Sequence, residues 1–191
     1  TEYSSVYPLY KGEKPRQTTE KTIKSAITKG YETVKHTHIS DYQTLYNRVK
    51  FTLSGDTASE KLPTDIRVKQ LQQGFTDDAS LKVLWFNLSR YLLISASRPG
   101  TLPSNLQGVW NTFEKAPWNG NFQSNINLQE MYWGCGPTQL PECEEAYLEW
   151  IEGLVEPGRK TAGEYYGTKG WVSHSTGNIW GHTVPGDDIL W

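Results

Sequence analysis

Ala79-Ser-Leu-Lys-Val-Leu-Trp-Phe-Asn-Leu-Ser-Arg-Tyr-Leu-Leu-Ile-Ser-Ala-Ser97 is the stretch on which the fold turns. Its Leu81, Leu84, Trp85, Leu88, Leu92 and Ser95 recur with a 3.6-residue period, which predicts an amphipathic helix over 79–97. Asp77 and Asp78 stand at its start, where the helix dipole favours anions, and Arg98-Pro99-Gly100 stops it. Working toward the N-terminus, Ile23, Ala26, Ile27, Tyr31 and Val34 predict a helix from Thr18 to about Lys35. Ser40 and Gln43 have the form of a capping box, so a second helix is expected from Asp41; Pro63 introduces a third, Thr64 to Gln73. Toward the C-terminus a helix is expected from Asn125, a pause over 134–141, and a restart at Glu142 with Ala146, Tyr147, Trp150, Ile151 and Leu154 on one side. Pro157 and Gly158 are expected to break it before a further turn or two. Residues 1–16 read as irregular or extended, and Phe51 opens a brief extended run into a Gly55-Asp56 turn. Helices in succession with few strands define an all-α arrangement.

Composition narrows the function. The chain has 191 residues, with 19 Lys and Arg against 21 Asp and Glu, so it carries no positive field to recruit nucleic acid. Mean hydropathy is −0.63, and no apolar run approaches the 18 or so residues of a membrane span. The opening TEYSSVYPLYKGEKP has neither a basic n-region nor an apolar h-region, so a signal peptide is expected to be absent or already removed. With 8 Trp and 11 Tyr, the chain is rich in flat rings, which suit sugars when set beside polar groups. Cys135 and Cys143, eight positions apart, leave open a bridge or two buried thiols, and the thiols are favoured because two Cys form no disulfide framework.

The long segment from Thr101 to Gln123 lacks a period, and loops of that length in compact domains are usually functional or disordered. Trp110, Phe113, Trp118 and Phe122 argue for order. From Asn105 to Gln129 nine Asn and Gln amides supply both donors and acceptors, as sugar hydroxyls require, and Trp110, Trp118, Tyr132 and Trp133 offer faces for a pyranose. The alternative is that the amides hold the loop's own backbone and the rings fill the core.

Ser97-Arg-Pro-Gly-Thr-Leu-Pro-Ser-Asn-Leu-Gln-Gly-Val-Trp-Asn111 and Asn125-Ile-Asn-Leu-Gln-Glu-Met-Tyr-Trp133 decide between these readings. They resemble the SRPG-x-LP-x-NLQG-[IV]-WN and N-[IV]-N-x-x-x-x-YW motifs of glycoside hydrolase family 95, the inverting α-L-fucosidases and α-L-galactosidases. The resemblance extends through His38-Ile-Ser-Asp-Tyr42, Arg90-Tyr-Leu-Leu-Ile94 and Gly170-Trp-Val172, covering roughly residues 30 to 191. It implies a partial (α/α)6 toroid with an N-terminal linker segment. Residues 1–35 would be the end of a β-sandwich and a helical linker, and residues 36–191 the N-terminal portion of the catalytic toroid. A whole toroid needs about 200 to 350 residues, so the chain is expected to cover only part of the ring.

The resemblance also implies the chemistry. Asn125 and Asn127 occupy the positions of the family's water-binding asparagines, which work with a downstream Asp, while a downstream Glu protonates the leaving oxygen. A neutral amide is too weak to be a base alone, but it can orient water and hydrogen-bond a carboxylate. Inversion requires about 6.5 to 9.5 Å between the acid and the water-activating group. Gln123 stands where relatives often carry His or Thr, near the sugar's C5 substituent, and its polarity suits the hydroxymethyl of L-galactose as well as the methyl of fucose. Trp118 and Trp133 are further substrate-binding candidates. So is Asn178, in Gly-Asn-Ile-Trp-Gly181, where several relatives have T-D-L-W. Neither carboxylate is assigned here: Glu142, Glu144, Glu145, Glu149 and Glu152 read as one solvated helix face, and Glu130 would share a face with Asn127.

His36-Thr-His38 lacks a third ligand, so no metal and no cofactor is expected. His174 and His182 flank Trp180 and read as pocket-lining or backbone-bonding residues. The expected partners are fucosylated or L-galactosylated glycans, the remainder of the full-length protein and, through open helix faces, a second copy. Glycan hydrolysis suggests a periplasmic or extracellular location. A non-catalytic carbohydrate-binding module and a helical interaction domain are the competing readings, and the chain by itself is expected to be inactive without its general acid.

Overall fold

The computed structural model of the chain describes residues 15–55, 58–74 and 77–186; the expectations for residues 1–14 and for Asp56 lie outside them. Six α-helices follow in order: α1 Pro15–Lys29, α2 Tyr31–Tyr46, α3 Thr64–Gln72, α4 Ala79–Ala96, α5 Asn127–Tyr132 and α6 Pro141–Tyr166. One two-residue pair, β1 Phe122–Gln123 with β2 Thr176–Gly177, is antiparallel. The chain is therefore all-α, as a partial helical toroid requires.

The helix boundaries differ from the sequence expectation at Gly30, at Ser40 and at Pro157. Gly30 ends α1 with φ 77° and hands its N–H to Ala26 and Ile27 carbonyls, a left-handed turn that glycine adopts without a Cβ penalty. Helix α2 then runs unbroken through Ser40, so the Ser-x-x-Gln pair lies within a helix and caps nothing. Pro157 and Gly158 do not break α6 either. Gly158 instead lets the following loop cross the helix: a Cβ there would stand 2.8 Å from the Val172 carbonyl, and Val172 N–H donates to the Gly158 carbonyl.

Two buried arginines tie the helices together. Arg90 of α4 is 3% exposed and donates to the carbonyls of Leu45, Tyr46 and Val49 at 3.1, 2.8 and 3.2 Å, placing a cation on the carbonyl end of α2, the negative pole of that helix. Arg67 of α3 grips Asp78 through two 2.8 Å bonds, and the same carboxylate accepts Leu81 N–H as the N-cap of α4. Asp77, by contrast, is exposed and pairs with Lys82. Arg48 and Glu142 form a second bidentate pair, at 2.8 and 2.7 Å, which removes Glu142 from the solvated face expected of it.

Most of the apolar stripe of α4 is exposed. Leu81 and Ile94 are buried, while Leu84, Trp85, Leu88 and Leu92 are exposed, because the helix meets α2 and α3 through the side that carries Arg90. The core lies elsewhere, among Leu45, Ile94, Phe122, Leu128, Tyr132, Leu140, Trp150 and Leu154. Cys135 and Cys143 sit in it as free thiols, and burial pushes them up to about 12 and about 11. Ser97, fully buried, donates to the Cys143 carbonyl and accepts from Tyr132, whose hydroxyl accepts Ser104 N–H; this chain pins the Ser97–Ser104 motif onto α5 and α6.

Candidate active site

The long loop is ordered by its amides more than by its rings. Asn105 Oδ1 accepts Gln107 N–H at 2.9 Å and Asn111 Oδ1 accepts Phe113 N–H at 3.0 Å, each closing a side-chain turn. Trp110, Phe113 and Trp118 are exposed, and Phe122 alone of the four loop rings is buried. Trp118 and Asn119 both have φ of 55°, a left-handed conformation that non-glycine residues enter at a cost. The loop ends at β1, where Phe122 faces Gly177 and Gln123, 8% exposed, faces Thr176.

This pairing brings two distant segments together beside α6. Ser124 donates its N–H to the Ser175 carbonyl at 2.8 Å and its hydroxyl to the His174 carbonyl at 2.9 Å, while its own carbonyl accepts from Gln129 Nε2 at 2.6 Å. Between the two segments lies a cavity of about 330 Å³. Its polar wall is Ser124, Asn125, Gln129, Ser173, His174 and Ser175. Tyr147, Trp150, Ile151 and Leu154 of α6, with Trp171, form the apolar wall. That size is at the low end for small-ligand sites, and the mix of rings with amides and hydroxyls is the amphipathic lining a single sugar ring requires. Among the described residues the cavity's lining includes neither Asp nor Glu.

Trp150 sets the cavity's floor. It is 1% exposed, meets Phe122 edge-on at 5.1 Å between centroids, and donates Nε1–H to the Asn178 carbonyl at 3.2 Å. Gly177 is required beneath it, since a Cβ there would come within 2.5 Å of the indole. Gly177→Ala is expected to cost about 1 to 3 kcal/mol through overpacking, read as a lowered urea midpoint with unchanged m-value.

The residues singled out in the sequence are distributed unevenly around this cavity. Asn125 lines it. Asn127 is exposed at the first position of α5, one residue past Ile126, which breaks the helical geometry with φ −170°. Gln123 lies in β1 and Trp133 is exposed at the end of α5; neither they, Trp118, Asn127 nor Asn178 is among the lining residues. Asn178 instead holds a turn, its Oδ1 accepting Trp180 N–H and His182 N–H at 2.9 and 3.2 Å. His174 both lines the cavity and bonds backbone. Tyr147 and Trp150 had no sequence signal beyond aromatic content and helical spacing, which marks a buried face without saying whether that face meets core or cavity, and Trp171 stood in the Gly170-Trp-Val172 resemblance with no role attached.

Residues 30–191 match the family model of the glycosyl hydrolase family 95 catalytic domain, and the chain belongs to that family. Among curated relatives it is 42% identical over 165 residues to Alpha-L-fucosidase 2 of Arabidopsis thaliana, covering 85% of this chain and 20% of that protein. It is 37% identical over 184 residues to Probable alpha-fucosidase A of Aspergillus niger, covering 95% and 23%, and 38% identical over 178 residues to the Aspergillus oryzae protein of the same name, covering 91% and 24%. The chain thus spans about a fifth to a quarter of the length of these relatives.

Proposed function

We propose that the full-length protein hydrolyses terminal α-L-fucosyl or α-L-galactosyl residues with inversion, and that this chain supplies the water-holding side of its active site. The observation that carries the proposal is the cavity beside Asn125: sugar-sized, aromatic on one wall and lined with amides and hydroxyls on the other. Family membership and fucosidase relatives support the substrate class. In this reading the Asn125 carboxamide, with that of Asn127, orients water toward the anomeric carbon, and an Asp and a proton-donating Glu come from other parts of the protein. The C–O bond to the aglycone breaks as water adds from the opposite face, the acid's proton goes to the leaving oxygen and the water's proton passes to the Asp. Gln123 tunes the choice between methyl and hydroxymethyl at C5, and Trp118, Trp133 and Asn178 contribute to substrate binding outside the described cavity.

Residues 1–35 would then belong to the sandwich and linker and residues 36–191 to the toroid. The exposed Leu84, Trp85, Leu88 and Leu92 would be covered by the rest of the protein or, in the isolated chain, by self-association. Glycan substrates point to a periplasmic or extracellular location. Assay of the full-length protein and of this chain for release of free L-fucose and L-galactose from the corresponding α-glycosides tests the proposal: the full-length protein should release one or both sugars and the chain alone neither. A full-length protein that releases neither sugar sinks it.

A further inference from the structure

We infer that His174 is a positioning residue for the turn that carries Asn125, and that its imidazole transfers no proton; the inference rests on the reading of Asn125 above. The side chain is held at both nitrogens. Nδ1 lies 2.7 Å from the Thr183 carbonyl, which can only accept, so Nδ1 carries a hydrogen, and in the neutral ring Nε2 then keeps its lone pair. Nε2 takes the Tyr166 hydroxyl at 2.6 Å, with the two rings stacked 5.9 Å apart at 24°. Thr183 is itself fixed: its buried hydroxyl meets that of Thr161 at 2.8 Å, and Thr161 donates to the Pro157 carbonyl of α6.

The backbone of the same residue completes the link. The His174 carbonyl accepts the Ser124 hydroxyl at 2.9 Å, and the next carbonyl, Ser175, accepts Ser124 N–H. Ser124 immediately precedes Asn125. The end of α6 is thereby connected through Tyr166 and Thr183 to His174, through His174 to Ser124, and through Ser124 to Asn125 on the cavity lining. With Nδ1 bonded to the Thr183 carbonyl and Nε2 to the Tyr166 hydroxyl, neither nitrogen is left to meet a substrate, so the contribution of the imidazole is placement.

Two measurements test this. On this chain, nitrogen-15 NMR of the imidazole should show hydrogen on Nδ1 and a bare Nε2; an Nε2–H tautomer overturns the fixing of the ring. In the full-length protein, His174→Ala should lower kcat by up to about 100-fold with KM close to wild type, the loss expected of a misplacement on the order of 1 Å. His174→Asn, whose amide can donate to Thr183 from near the Nδ1 position, should recover most of that loss. Ser124→Ala, which removes only the hydroxyl link, should lower kcat in the same sense, and it carries the kinetic test if His174→Ala does not fold. A rise in KM alone for His174→Ala, or His174→Asn as slow as His174→Ala, overturns the assignment. Wild-type protein inactive on both sugars overturns the functional reading, while the NMR result still decides whether the ring is fixed.

Discussion

Asn125→Ala in the full-length protein is expected to lower kcat for α-L-fucoside hydrolysis by about 100- to 1,000-fold, the range measured when one preorganised polar group aimed at the reacting atoms is removed. Asn125 sits on the cavity lining, in a turn held by three hydrogen bonds of Ser124 to its neighbours, so the variant loses the amide without losing the scaffold. Asn127→Ala should fall in the same direction. Both asparagines are exposed, but Asn127, two residues further on at the start of α5, is not on the cavity lining, so its effect is expected only with the rest of the active site in place. Steady-state kinetics with KM resolved from kcat checks both: a loss confined to KM would make Asn125 a binding group and leave the water without its holder.

Asp78→Ala should destabilise this chain by about 3 to 5 kcal/mol, because it leaves the buried Arg67 cation without its anion and α4 without its cap. The same carboxylate makes stability depend on acid. Arg67 holds Asp78 well below the usual carboxylate range, helped by Leu81 N–H and the Ser80 hydroxyl and opposed by burial. A depressed folded value means that the unfolded chain takes the proton first. The contribution is therefore full above the unfolded pKa of about 4 and is lost as pH falls below it. Urea unfolding at neutral pH and near pH 3 should show the wild type losing this contribution, whereas Asp78→Asn lacks that part of the decline. A neutral-pH loss under about 1 kcal/mol for Asp78→Ala would contradict the account, since surface pairs are worth no more than that.

The sequence made the helices legible and the tertiary use of their faces much less so. Period and capping signals found α3 and α4 to within a residue or two, because Pro63 and Asp78 are local devices acting on their own helices. They failed where a long-range contact reassigns a residue. Gly158 reads as a helix breaker until the Val172 carbonyl is seen packed on it, and the period of α4 marks an apolar stripe without saying which partner will cover it. Nothing local marks Arg90 or Arg67 as buried, since their partners are carbonyls and a carboxylate brought by other segments. Motif resemblance pointed to Asn125 and the sequence already offered His174 as a pocket-lining or backbone-bonding residue, yet the bonds that join it to Ser124 and Tyr166 appeared only when β1 met β2 and brought together segments 50 residues apart.

The most direct test of the central claim is proton NMR of the anomeric signals in the first minutes of α-L-fucoside or α-L-galactoside hydrolysis by the full-length protein, before mutarotation mixes the products. Water held by Asn125 on the face opposite the leaving group must yield the β-L-sugar first. Initial release of the α-L-sugar would mean retention through a covalent intermediate, a role that no carboxamide beside this cavity can fill, and would contradict the account.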